Sequence, residues 1–135
     1  MTFEAGIFSG KTAVVTGATS GIGAGVAAGL SKLGAEIWAC GIGPVQADLP
    51  ASVRLHALDV KDNEAVEGFI ASVPAIDIVV NCAGIIRRGD EHRPDVFEQV
   101  LNVNLLGTMR LCAAARPKLK EKAGCIVNMA SMLSF

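Results

Sequence analysis

Thr16-Gly17-Ala18-Thr19-Ser20-Gly21-Ile22-Gly23 sets three glycines in the pattern G-x-x-x-G-x-G, directly after a β-branched run and directly before a helical repeat. Each glycine meets its own steric demand. Gly17 suits the backbone angles of a sharp turn, Gly21 lets the main chain approach a pyrophosphate with no Cβ in the way, and Gly23 lets the helix lie close to the strand. The start of that helix offers free N–H groups and the positive end of a dipole, so the chemistry indicated is the cradling of phosphates. The spacing departs from the G-x-G-x-x-G of the usual dinucleotide fingerprint, and its place between strand and helix is what makes it informative.

The flanking elements must hold that turn. Ala13-Val14-Val15 reads as a strand, and Ile22, Val26, Leu30 and Leu33 recur at helical spacing up to Gly34, a C-terminal cap. Glu36 to Cys40 is a second strand, followed by a Gly- and Pro-containing loop from Gly41 to Pro50. Val53, Leu55 and Ala57 alternate in a third strand ending at Asp59, and Glu64 to Val73 is helical, with Val66, Phe69, Ile70 and Val73 on one face. Ile76 to Val80 is a fourth strand ending at Asn81. Pro94 to about Ala115 reads as one long helix with Val96, Phe97, Val100, Val103 and Leu111 inward, and Cys125 to Ala130 is a fifth strand. Strands alternating with helices over short connections predict a doubly wound parallel α/β sheet, in one domain over residues 1–135. Ligands of such sheets sit at the carboxyl ends of the strands, where Asp59, Asn81 and Ser131 fall.

Composition removes other classes. Among 135 residues, 12 basic and 13 acidic side chains nearly cancel, and no run of like charge marks a nucleic-acid or membrane-surface patch. Cys40, Cys82, Cys112 and Cys125 form no CxxC pair, which indicates neither a zinc site nor a disulfide framework; reduced thiols in a cytoplasmic protein are the expectation. No stretch approaches the ~18 apolar residues of a membrane span. A nucleophilic serine would need a paired base, and neither His56 nor His92 stands in such a context.

Taken together, Thr16-Gly17-x-x-x-Gly21-x-Gly23, Asp59-Val60, Asn81-Cys82-Ala83-Gly84, Asn104 and Ser131 resemble, in kind and order, the motifs of the short-chain dehydrogenase/reductase family over the whole chain. The resemblance implies an NAD(P)-dependent oxidoreductase moving hydride between the nicotinamide and an alcohol or ketone. It places Gly17, Thr19, Ser20, Gly21, Ile22, Gly23 and Gly41 in cofactor binding. Asp59 would meet the adenine amino group, with a backbone contact from Val60. Asn81, Ala83 and Gly84 would line the adenine-ribose side, Cys82 standing where the family has a second Asn. Asn104 would hold a water in a proton relay, and Ser131 would bond the reacting carbonyl or hydroxyl, with Ser134 as a weaker candidate.

The family's acid is the Tyr of a Tyr-x-x-x-Lys pair, and this chain contains no tyrosine. The expectation is therefore a truncated chain, inactive by itself, whose further C-terminal segment covers the fifth strand. The family also implies a homo-oligomer, a tetramer by analogy. The end of the second strand, Gly41-Ile42-Gly43, has neither the acid of NAD binders nor the Arg of NADP binders, and Ser20 is not basic, so the lean is to NAD. The segments Ala83 to Arg88 and Ala130 to Phe135 are similar to those of 2-deoxy-D-gluconate 3-dehydrogenase and gluconate 5-dehydrogenase members of the family, which suggests a sugar acid. Arg87 or Arg88 would then pair with its carboxylate. Two other functions fit the same residues: a non-catalytic dinucleotide-binding module, or NADPH-dependent reduction of an acyl-thioester or steroid-like ketone.

Overall fold

The computed structural model describes residues 3–131. Its strands are β1 (Thr12–Thr16), β2 (Glu36–Gly41), β3 (Val53–Ala57), β4 (Ile78–Asn81) and β5 (Cys125–Asn128). Its helices are α1 (Gly21–Lys32), α2 (Asn63–Ser72), α3 (Pro94–Leu101) and α4 (Thr108–Lys122), with a π-helical stretch, Asn102–Gly107, joining the last two. All strand pairs are parallel, in the order β3-β2-β1-β4-β5. The chain order reverses direction between β1 and β4, which opens a crevice at their carboxyl ends.

The two faces of the sheet follow from the two-residue period of a strand. On one face Val14, Cys40 and Val79 meet Val66, Phe69 and Ile70 of α2 and Leu111, Ala115 and Leu119 of α4. On the other face Ala13, Val15, Ile37, Ala39 and Val80 pack with Ala27 of α1. Burial on both faces is why the central strands read as near-continuous apolar runs. Strands β2 and β3 are joined by the irregular residues 42–52 with no helix between them, as the shortness of that segment implies.

At the opposite, amino-terminal edge, the buried Asp77 accepts hydrogen bonds from the Thr12 N–H at 2.9 Å and from Lys11 Nζ at 3.1 Å. The Thr12 amide bond, joined by the Lys11 charge, holds its carboxyl below the usual carboxylate range.

Two sequence expectations need correction. The helix expected from Pro94 to about Ala115 is interrupted by the π-helical stretch and runs on to Lys122, with Pro117 inside it. Phe97 faces solvent rather than the core. Only Val96 is buried on α3, so its inward face is narrow, and the next residue lies about 100° around the axis. Ile22 is exposed at the start of α1, whose buried residues are Gly23, Ala24 and Ala27, with Val26 and Leu30 packed against the same core.

Candidate functional site

The crevice at the switch point is a cavity of about 370 Å³. Its walls come from the turn after β1 (Gly17, Thr19, Ser20, Gly21, Ile22, Gly23), the end of β2 (Gly41, Ile42), the turn after β3 (Leu58, Asp59, Val60), the loop after β4 (Cys82, Ala83, Gly84, Ile85) and Val103. Five segments far apart in sequence meet there because each follows the carboxyl end of a strand or, for Val103, interrupts the long helical region.

The glycine turn has little steric freedom. Gly17 has φ +67°, and a Cβ there would lie 2.8 Å from the Ala83 amide nitrogen. A Cβ on Gly23 would run into the Gly17 carbonyl oxygen. Gly21, at φ +54°, would meet nothing, since it faces the open cavity. Thr16 Oγ1 accepts from the Cys82 and Ala83 N–H groups at 3.1 and 3.0 Å and so draws the β4 loop onto the turn. Thr16 opens the glycine motif, but its side chain was given no role there; a buried hydroxyl at a strand end needs a partner, and that was the available signal.

At the start of α1, Ser20 makes no side-chain cap and the first turn holds no acidic residue. The dipole end is therefore uncompensated and open to an anion. That opening and the Cβ-free cradle fit the pyrophosphate of a dinucleotide. Thr19 turns aside: its hydroxyl donates to the Ile42 carbonyl at 3.2 Å, and its methyl group would lie 2.8 Å from a Cβ on Gly41. Among the described residues lining the cavity there is no Lys or Arg, and Asp59 is the carboxylate there.

Asp59 Oδ1 accepts from the Lys61 N–H at 3.0 Å, with Lys61 Nζ 3.6 Å from Oδ2. Capping of α2 falls instead to Asp62, which accepts from the Ala65 N–H at 3.0 Å. The Val60 carbonyl accepts from the Arg110 guanidinium at 3.2 Å. Burial raises the thiol pKa of Cys82, which keeps this lining residue neutral.

Asn81 lies behind the lining rather than in it. Its amide nitrogen donates to Asn128 Oδ1 at 2.8 Å and lies 3.4 Å from Cys112 Sγ, while its buried oxygen has no hydrogen-bond partner among the described residues. Asn104 lies in the π-helical stretch. Its Oδ1 accepts from the Ile85 N–H at 2.8 Å and its Nδ2 donates to the Ile85 carbonyl at 3.0 Å, which splices the helical region to the β4 loop. Its main-chain carbonyl accepts from Thr108 Oγ1 at 3.1 Å. The neighbouring Asn102 pairs with Arg110. Arg87 and Arg88 are exposed on the loop beyond Ile85 and do not line the cavity, and Ser131 is exposed just past β5. Ser134 lies outside the described residues.

Comparison with known proteins points one way. A family model described as short chain dehydrogenase matches residues 11–135. D-threitol dehydrogenase of Mycolicibacterium smegmatis is 37% identical over 90% of this chain and 53% of its own length. 2-Dehydro-3-deoxy-D-gluconate 5-dehydrogenase of Bacillus subtilis is 37% identical over 93% of this chain and 55% of its own. The solved aldohexose dehydrogenase of Thermoplasma acidophilum, in ligand-free form, superposes with a TM-score of 0.85 at 24% identity, covering 95% of this chain and 52% of that one, and so supports the fold. The chain thus spans about half the length of these relatives.

Proposed function

This chain belongs to the short chain dehydrogenase family, and from that premise we propose that it is the dinucleotide-binding part of an NAD-dependent oxidoreductase acting on a secondary alcohol or ketone of a polyol, sugar or sugar acid. The observation that carries the reading is the switch-point cavity, whose turn excludes a Cβ at Gly17 and Gly23 and whose helix start carries no acid. The bound cofactor would supply the hydride acceptor and donor. The N–H groups opening α1 would hold its pyrophosphate, Asp59 and the Val60 N–H its adenine, and Ala83 and Gly84 the ribose wall, backed by Asn81.

Asn104 would serve the proton relay through the position its amide gives the β4 loop and through its carbonyl, and Ser131 would orient the substrate oxygen. Preference for NAD follows from a lining without Lys or Arg to pair with a 2′-phosphate. Names of the relatives favour a polyhydroxylated substrate, the threitol and deoxygluconate enzymes among them. An acidic one would draw on Arg87 or Arg88.

Calorimetric titration of the full chain with NAD and NADP tests the site. Binding is expected, with NAD about tenfold tighter, a difference of ~1.4 kcal/mol. No binding of either would overturn the reading. Hydride transfer to polyols and sugar acids, followed at 340 nm with the protein expressed from its whole gene, tests the activity; a turnover-dead protein that still binds NAD would leave a binding module instead.

A further inference from the structure

Arg110 stands outside the cofactor-site motifs of the sequence and has no carboxylate partner among the described residues. Its half-buried guanidinium spends its donors on main-chain and amide oxygens instead. Nη1 is 3.2 Å from the Val60 carbonyl and 3.2 Å from the Asn102 carbonyl, and Nη2 donates to Asn102 Oδ1 at 2.9 Å. Val60 lines the cavity in the turn after β3, whereas Asn102 opens the π-helical stretch that contributes Val103 to the cavity and carries Asn104.

A second contact seals the same seam. Gly107, at the other end of the stretch, is buried against Val60, and a Cβ on it would lie 2.6 Å from Val60 Cγ2. A π-helical turn is a costly local choice that needs outside support, and such turns concentrate at functional sites. Here it is held on both flanks, by Asn104 against Ile85 and by Arg110 against Val60. Nη1 reaches carbonyls on both segments, and the planar fork of the guanidinium sets Nη2 on the Asn102 amide oxygen at the same time.

We infer that Arg110 is a positioning residue: it fixes the Asp59-Val60 turn to the π-helical stretch and thereby sets where the Val60 N–H meets the adenine end of the cofactor. The assignment of that end rests on the reading proposed above. Arg110 touches no ligand itself; it acts through Val60. The adenosine half of the cofactor therefore depends on it and the nicotinamide half does not.

The test uses the full chain, wild type, Arg110→Met and Arg110→Lys, with two readouts. Hydrogen exchange reads the tie without any ligand: Arg110→Met is expected to speed exchange at residues 59–61 and 102–107 and to leave β1 and β2 unchanged. Unchanged exchange at both segments overturns the tie, whatever the ligand results. Titration reads its consequence: in Arg110→Met, ADP-ribose and NAD are expected to bind about tenfold more weakly, with nicotinamide mononucleotide within twofold, and Arg110→Lys is expected to recover part of the loss. A uniform loss across all three ligands overturns the positioning role in favour of general destabilisation. Failure of wild type to bind any of them sinks the cofactor reading while the exchange result still decides the tie.

Discussion

At Gly23 a methyl group has nowhere to go. The nearest atom is the Gly17 carbonyl oxygen, fixed by its own turn, so relief requires moving α1 off β1. Gly23→Ala is therefore expected to weaken NAD binding at least about tenfold and to lower stability by roughly 1–3 kcal/mol, read by titration and by urea unfolding. Thiol chemistry offers a second residue-scale test. Burial pushes the Cys40 thiol up to about 12, while Cys125 is exposed. At pH 8 an alkylating reagent is expected to label Cys125 rapidly and Cys40 only on unfolding, as peptide mass mapping would show. Labelling of Cys40 in the native state would contradict the burial. For Asp77, the depressed folded pKa means that its contribution to stability is complete above the unfolded carboxylate value near 3.9 and is lost as the pH falls through the folded pKa. Asp77→Asn is accordingly expected to lower stability at neutral pH, where the carboxylate's contribution is fully present, and to flatten the acid limb of the stability profile, as urea unfolding at a series of pH values would show.

Among the elements, α2 ends without a basic residue in its last turn, and its carboxyl end is finished by α4. Lys118 Nζ donates to the Ile70 carbonyl at 2.7 Å and the Ala71 carbonyl at 3.1 Å, and also bonds the Val73 carbonyl. Removing these bonds while keeping the apolar stem, as in Lys118→Met, is expected to cost about 1.5 kcal/mol in denaturant unfolding with little effect on ligand affinity. An unchanged midpoint would mean that the lysine is not needed as a cap. The strands, α1 and α2 were legible in the sequence to within a few residues because alternation and glycine punctuation are local signals. The π-helical stretch was not: Asn102, Val103, Asn104 and Gly107 are weak helix formers, but weak propensity does not specify a widened turn, and the partners that flank it, Ile85 and Val60, lie elsewhere in the chain.

For the molecule as a whole, a ligand held between the two halves of the sheet must stabilise the native state. If NAD binds the switch-point cavity, NAD at about 100 times its Kd is expected to add ~2.7 kcal/mol to unfolding, and NADP less at the same concentration. No shift in melting temperature with saturating NAD would count against the cavity as the cofactor site.

The sequence alone was enough for the alternating α/β class and for the phosphate-cradling turn of Gly17, Gly21 and Gly23, because strand period, helix period and glycine sterics act over a few neighbouring residues. Tertiary structure decided the rest. It chose which residues share the cavity: Asp59, Val60, Ala83 and Gly84 converge on the turn, while Asn81 lies behind it and Arg87, Arg88 and Ser131 are not among its lining residues. It also turned Phe97 and Ile22 outward and gave Thr16, Asn104 and Arg110 their partners. Those outcomes depend on segments more than ten residues apart meeting in space, and no local spacing rule carries that information.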